Sequence, residues 1–375
     1  MKVVVACDSF KGSISSNEIN ECIKQSLKSI YPNYVIKTFE LGDGGEGTMD
    51  SIIRRLKGKR IQTIVHGPLM EQMKSEYGII NENIAIIEMA SCSGLTLIPK
   101  ELRNPLKTTT FGVGEMIYDA VINQKVKKVI VGIGGSGTND GGTGMLEALG
   151  FQFKDSKNKI LGVGGEILNQ IESIDSSCVS KEILNIPIIV ACDVNNPFYG
   201  KNGAAFIYSR QKGADDQMIQ QLDNGLEHFA QVIKKVKKID LNQIPGTGAA
   251  GGLGGGFIGF LNAELKPGIE LILDLFQFDQ IIEDAQYIIT GEGRIDEQSF
   301  MGKVLCGILK RAQKYKIKVI AIGGAVEVDS NTIDPLLSVF CIQNKPITLE
   351  DAMKKEEVIK NVTVLIRNIF KLLQQ

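Results

Sequence analysis

The chain is 375 residues long, 43% hydrophobic and 23% charged, with a formal net charge of −1. Those values belong to an ordinary soluble globular protein, and the length exceeds what one core usually serves, so two domains are expected. They exclude a disordered chain and argue against a nucleic-acid surface, which needs a basic excess.

In chain order, residues 3–7 form an apolar run that reads as a buried strand and not as a signal peptide, being too short and leading straight into folded-looking sequence. A polar loop, Asp8-Ser9-Phe10-Lys11-Gly12-Ser13, follows. A helix then begins at Ser15/Ser16 with Ile19, Cys22, Ile23, Leu27 and Ile30 on one face. Residues 35–41 give a second strand closing in Gly42-Asp43-Gly44-Gly45-Glu46-Gly47-Thr48, before a helix at about 48–56. Twice, then, an Asp stands just past the carboxyl end of a strand, the edge at which open parallel sheets bind ligands. Residues 61–65, 74–80 and 84–88 read as three short strands whose tight connections make them antiparallel, a departure into a second domain. A helix is expected at 111–123.

Next comes the stretch around which the rest is organised. Val129-Ile130-Val131 is β-branched without alternation, as in a strand buried on both faces, and it runs into the glycine-dense loop 132–142 and a short helix. Glycines let a ligand approach the backbone, and free N–H groups at a helix start point toward negative charge. Asp140 in that loop is suited to a divalent cation. The overlapping glycine registers complete neither a P-loop nor a dinucleotide fingerprint.

Downstream, a helix is expected near 166–174 and a strand at 186–193 that finishes on Asp193. A small strand at 204–208 and a long amphipathic helix from Asp215/Asp216 to about Val236 follow. Residues 245–257 are glycine-dense again, but Ala249, Ala250, Leu253 and Phe257 mark a packed helix or loop and not a linker. A strand at 285–290 ends in Gly291-Glu292-Gly293-Arg294-Ile295-Asp296; then come a helix at 303–315, a strand at 319–325, a short strand at 338–341 and closing helices at 351–373. The expected architecture is α/β: a Rossmann/flavodoxin-like, mostly parallel sheet domain with a second, smaller mixed α/β domain inserted and an active-site cleft between them. The boundaries are 1–60 with 108–195 and 275–375 for the first, and 61–107 with 196–274 for the second.

Seven cysteines without a Cys-x-x-Cys spacing fit reduced thiols of a cytoplasmic protein, and His66 and His228, remote from them in sequence, speak against zinc. No apolar run reaches membrane-spanning length. The strand ends instead collect Asp8, Lys11, Asp43, Glu46, Asp140, Asp193, Glu292, Arg294 and Asp296, with Lys303 a turn beyond. Each alone could be a helix cap or a solvated charge. Five acid-bearing loops on one sheet edge would repel one another, so a cation belongs among them. Mg²⁺ with a nucleotide polyphosphate, helped by Lys11 and Arg294, meets that balance. The reaction class is phosphoryl transfer to a small acid or alcohol.

The motifs Asp8-Ser9-Phe10-Lys11-Gly12-Ser13, Gly42-Asp43-Gly44-Gly45-Glu46-Gly47-Thr48, Gly134-Gly135-Ser136-Gly137-Thr138-Asn139-Asp140-Gly141-Gly142, Cys192-Asp193-Val194-Asn195-Asn196-Pro197, Gln211-Lys212-Gly213-Ala214, Gly248-Ala249-Ala250-Gly251-Gly252-Leu253-Gly254 and Thr290-Gly291-Glu292-Gly293-Arg294-Ile295-Asp296 resemble, in order and over nearly the full chain, those of the bacterial type I glycerate kinases. The resemblance implies ATP-dependent phosphorylation of glycerate, in the D form, with Mg²⁺; it points to the 2-hydroxyl, which the residues themselves leave open against the 3-hydroxyl. By the chemistry, Asp193 or Asp43 accepts the hydroxyl proton, Asp140 and Asp296 enter the metal shell, and Lys11 and Arg294 neutralise carboxylate or phosphate. Substrate and nucleotide contacts are expected from Asp8, Ser9, Gly44, Gly45, Gly134, Gly135, Ser136, Thr138, Asn139, Gly141, Gly251, Gly252 and Glu292. Glycerate and ATP are the expected partners, with no nucleic acid or membrane, and a homo-oligomer stays open. Two alternatives are a non-catalytic hydroxy-acid sensor and a nicotinamide-dependent oxidoreductase. The latter wants Gly-x-Gly-x-x-Gly after the first strand, where this chain has one glycine.

Overall fold

The computed structural model describes residues 1–40, 52–53, 55–300, 302–329 and 334–373. The chain starts with β1 (Lys2–Cys7), α1 (Ser16–Lys28) and β2 (Val35–Thr38). α1 opens on a capping box: the Ser15 hydroxyl accepts from Glu18 N–H and the Glu18 carboxylate accepts from Ser15 N–H, which satisfies two backbone donors that a helix start leaves open. β3 (Lys59–His66), β4 (Gln72–Ile80) and β5 (Ile84–Glu88) follow, then α2 (Phe111–Tyr118), β6 (Lys128–Gly132) and α3 (Thr143–Ala148). β7 (Gln152–Lys154), β8 (Ser173–Asp175), β9 (Ile188–Ala191), α4 (Asp216–Lys237), α5 (Ala249–Phe260) and β10 (Glu264–Lys266) come next. The chain closes with β11 (Tyr287–Ile295), α6 (Val304–Tyr315), β12 (Lys318–Val326), β13 (Leu337–Cys341) and α7 (Lys355–Leu372).

These elements form two compact units, one of residues 1–43 with 269–375 and one of residues 44–268. The first holds a five-stranded sheet, β13-β12-β11-β1-β2, in which every neighbouring pair is parallel. β1 lies inside it, apolar on both faces as its sequence requires. Val3, Val5, Ile289 and Ile320 pack with Ile19 and Ile23 of α1 and with Val362, Ile366 and Phe370 of α7.

The second unit holds the sheet β10-β9-β6-β5-β4-β3. It is parallel from β10 to β5 and antiparallel from β5 to β3. Its core gathers Val129, Val131 and Val190 with Met116, Met145, Leu146, Phe229 and Phe257. The protein is therefore α/β, with one parallel sheet, one mixed sheet and the small antiparallel pair β7-β8.

Four expectations change. Residues 44–60 and 108–195, placed with the chain start by their β-α-β style, lie with 61–107 instead; β6, for instance, pairs with β5 in the register Ile86 opposite Ile130. The inserted unit is consequently the longer of the two. Residues 204–208 form a short helix, Ala204–Tyr208, and not a strand; the apolar run is too short for its period to separate the two. The helix expected at 166–174 is a 3₁₀ segment, Gly165–Gln170, followed by β8. Residues 291–295, expected as a loop, continue β11, since its pairing with β12 runs on to Ile295 opposite Val326.

Candidate active site

In the second unit β6 is followed by the glycine-dense loop for which an anion site is expected. Glu88 of β5, Gly132 of β6 and Ala191 of β9 stand opposite one another in parallel register, so residues 133–139 and Asp193 leave the sheet at the same carboxyl edge. Gly134 and Gly135 are exposed and Ser136 is partly so, while 137–146 are buried. Asp193 is exposed, and its Oδ1 accepts from Gly268 N–H at 2.8 Å.

Asp140 is placed otherwise than expected. It is fully buried, and its carboxylate accepts from Thr110 N–H and Oγ1–H (both 2.8 Å), Thr109 Oγ1–H (3.3 Å), Gly142 N–H (3.1 Å) and Gly144 N–H (3.2 Å). Burial raises its carboxyl above the ordinary range and the hydrogen bonds pull against that. With both oxygens committed to protein donors, Asp140 does not fit a metal shell; it ties the loop to the start of α2.

Gly251 and Gly252, expected at the nucleotide, are buried against that same loop. Gly251 O accepts from Gly141 N–H at 3.0 Å. A Cβ on Gly251 would lie 2.1 Å from Thr138 O, and its φ is +69°, so glycine here serves backbone-to-backbone packing. Ala250, Gly251 and Gly252 are all left-handed, which puts the regular part of α5 after them.

Sequence reasoning over-read Asp140 and under-read Lys212. Lys212, noted only as part of a motif, is 1% exposed, and its Nζ donates to Ser136 Oγ and Thr138 O, both at 2.7 Å. Burial pushes the ammonium down to about 7, with the Asp140 carboxylate acting the other way. Thr138 Oγ1 and Asn139 Nδ2 are buried without a hydrogen-bond partner among the described residues, while Asn139 Oδ1 accepts from Ser209 Oγ–H at 3.0 Å. A surface lysine is the ordinary expectation, and nothing local in 211–214 distinguishes this one.

In the first unit, Cys7 of β1 stands opposite Gly291 of β11, and Asp8 N–H donates to Gly291 O at 2.8 Å. Asp8 is buried and accepts from Ser9 N–H at 2.6 Å. Ser9, Lys11, Gly12 and Ser13 line an open cavity of about 410 Å³, and the backbone of Gly293 lies against Phe10 and Lys11. Glu292, mostly buried, has Oε1 without a hydrogen-bond partner among the described residues and Oε2 4.0 Å from Lys303 Nζ. Burial raises its carboxyl and Asp296 adds to that, while Ser299, Lys303 and Lys11 oppose it. Arg294 is exposed, 2.5 Å from Glu327 Oε2 and 3.7 Å from Asp296. The unit thus brings together Asp8, Lys11, Glu292, Arg294 and Asp296, a mixed-charge cluster suited to a polyphosphate with its counter-ion. Asp43, Gly44, Gly45 and Glu46 lie outside the described residues. Among the described residues no group of three or more His, Cys, Asp or Glu is placed to hold a metal ion, and no helix is long and apolar enough to cross a membrane.

A crystal structure from Salmonella typhimurium LT2, described as a glycerate kinase 2, matches all of this chain and 98% of its own at a TM-score of 0.84 and 39% identity. The class follows from fold and loops together: the protein is an α/β enzyme, a kinase. A glycerate kinase of Bacillus cereus is 44% identical over 98% of this chain and 97% of its own. The glycerate 2-kinase of Escherichia coli K12 is 42% identical over 94% and 93%. The family model described as the glycerate kinase family matches residues 3–374, and the chain belongs to that family.

Proposed function

We propose that the protein phosphorylates D-glycerate with ATP in the cytoplasm, giving 2-phosphoglycerate and ADP. The observation that carries this reading is the end-to-end family match, residues 3–374, with a relative named for the 2-kinase reaction. In the reaction the 2-hydroxyl oxygen of glycerate bonds to the γ-phosphorus as the bond to the β,γ-bridging oxygen breaks. The hydroxyl proton passes to a carboxylate, Asp193 or Asp43. Such chemistry is positioning and charge neutralisation more than covalent catalysis.

The exposed backbone of Gly134 and Gly135, with Ser136, is assigned to anionic oxygens. Lys11 and Arg294 are assigned to phosphate or carboxylate charge. Asp296 with Glu292 is the donor set that fits Mg²⁺, which takes one or two carboxylates and completes its shell with phosphate and water. Bound there, the ion would neutralise phosphate charge.

The test is ADP release over a panel of small hydroxy acids, with the product position read by NMR. D-glycerate-dependent ADP release with phosphorus on the 2-oxygen is expected; binding of D-glycerate without turnover would leave the sensor reading instead. Asp193→Asn and Lys11→Ala should each lower kcat by about 10²-fold or more, the size of a lost acid–base or charge-stabilising group, and near-normal turnover in both would remove the assignment.

A further inference from the structure

A lysine buried behind a glycine loop is not a solvated charge. An ammonium is a donor only, with three hydrogens and no acceptor. Lys212 spends two of them, on Ser136 Oγ and Thr138 O. The Thr138 carbonyl can only accept, but the Ser136 hydroxyl, while accepting from the ammonium, still has its own hydrogen to give. Ser136 makes no other side-chain hydrogen bond among the described residues. Its loop is open on the outer side: Gly134 and Gly135 are exposed, and a Cβ on Gly134 would meet nothing within 4 Å.

The charge balance points the same way. The negative group acting on Lys212 is Asp140, and its oxygens are already held by Thr109, Thr110, Gly142 and Gly144. The two charges make no direct contact, so the Asp140 carboxylate offsets the field of the buried cation only in part. Thr138 Oγ1 and Asn139 Nδ2, buried beside it with no partner among the described residues, mark the same loop as built for more contacts than the chain supplies.

We propose that Lys212 is a positioning residue for phosphoryl transfer: from behind the loop it fixes the Ser136 hydroxyl as an outward donor to an anionic oxygen, of the nucleotide phosphates or of the acceptor carboxylate. This rests on the kinase reading above.

The experiment compares Lys212→Met, Lys212→Arg, Ser136→Ala, Ser136→Thr and the double variant K212M/S136A, with kcat, KM for ATP, KM for D-glycerate and thermal melting for each. Ser136→Ala and Lys212→Met should raise the KM of the same single substrate about tenfold or more, the loss of a charge-assisted hydrogen bond. The double variant should be within about twofold of the worse single one, because the two residues act as a unit. Ser136→Thr, and in part Lys212→Arg, should recover the loss. An elevated KM for ATP identifies phosphate as the anion and one for D-glycerate identifies carboxylate. Wild-type KM values for both substrates in Ser136→Ala, or effects of the two single changes that fall on different substrates or multiply, overturn the proposal. If Lys212→Met does not fold, the Ser136 pair decides alone. If wild type turns over no D-glycerate, the kinase reading fails by itself, and calorimetric titration of ATP and inorganic phosphate decides the inference. Weaker binding to Ser136→Ala than to wild type supports it; equal binding, or none to either, sinks it.

Discussion

Two side chains carry most of the electrostatics of the β6 loop, and both are buried. Asp140 accepts five hydrogen bonds. In Asp140→Asn an NH₂ group would face donors where an oxygen now accepts. The expected loss is about 3 kcal/mol of folding stability, as for a broken buried charged network, read by urea denaturation. The same change at the part-exposed Asp296 should stay within about 1 kcal/mol; equal and small effects at both sites would contradict the placement of Asp140. Lys212 makes a pH prediction of its own. Its folded value of about 7 lies below the ordinary lysine value of about 10.4. Between those two the unfolded chain binds more protons than the native one, so this group makes stability rise with pH, by at most about 1.4 kcal/mol per unit; below about 7 its contribution is flat. Urea denaturation of wild type and Lys212→Met from pH 6 to 10 should show a steeper rise in wild type, and parallel curves would refute it. The sequence displays the charge type of both residues but not their burial, because Asp140 meets Thr109 and Thr110 only after the chain has returned through β6.

Glycines that look alike in sequence do different work in the elements they join. Gly251 at the start of α5 has φ +69°, with Thr138 O 2.1 Å and Asn139 Cα 2.5 Å from where a Cβ would sit. Gly251→Ala combines left-handed strain of about 1–2 kcal/mol with overpacking against backbone, typically about 1–3 kcal/mol. A drop of about 3 kcal/mol is expected. Gly134→Ala, on the open side of the β6 loop, should remain within about 1 kcal/mol. Chemical denaturation of the two variants separates them, and similar midpoints would mean that the glycine segments do not pack as described. Strands β1, β5, β6, β9 and β12, helices α1 and α4, and the antiparallel turn from β3 to β5 were all legible, because two-sided apolar runs, capping residues and short connections are local signals. The glycine-dense segment 245–257 was legible as packed by its Ala, Leu and Phe content. What it packs on was not, since Gly251 meets Thr138 across more than a hundred residues. β11 was read too short because Gly291, Glu292 and Gly293 carry turn chemistry, which its pairing with β12 overrides.

At the scale of the molecule, a unit built from two distant pieces of chain is interrupted by one built from a single piece. That an insertion exists could be read from the shared strand-helix style of the first and last segments. Its boundaries could not, since nothing in β6 states that its neighbours are β5 and β9 and not β1; pairing partners are chosen by tertiary packing. The insertion, residues 44–268, has its own six-stranded sheet and its own core, with Phe153, Phe229 and Phe260 in mutual ring contact. A contiguous segment with a complete core is a domain able to fold alone. Expressed as a fragment, residues 44–268 should therefore give dispersed amide NMR spectra and a single cooperative thermal transition. The first unit differs: β1 and β11 pair across a separation of 284 residues, Val3 opposite Tyr287, so closing its sheet waits on the chain between them. In refolding followed by pulsed hydrogen exchange, the amides of β5 and β6 should gain protection before those of β1 and β11. Simultaneous protection of both sheets, together with a fragment 44–268 lacking spectral dispersion, would show instead that neither core forms without the other.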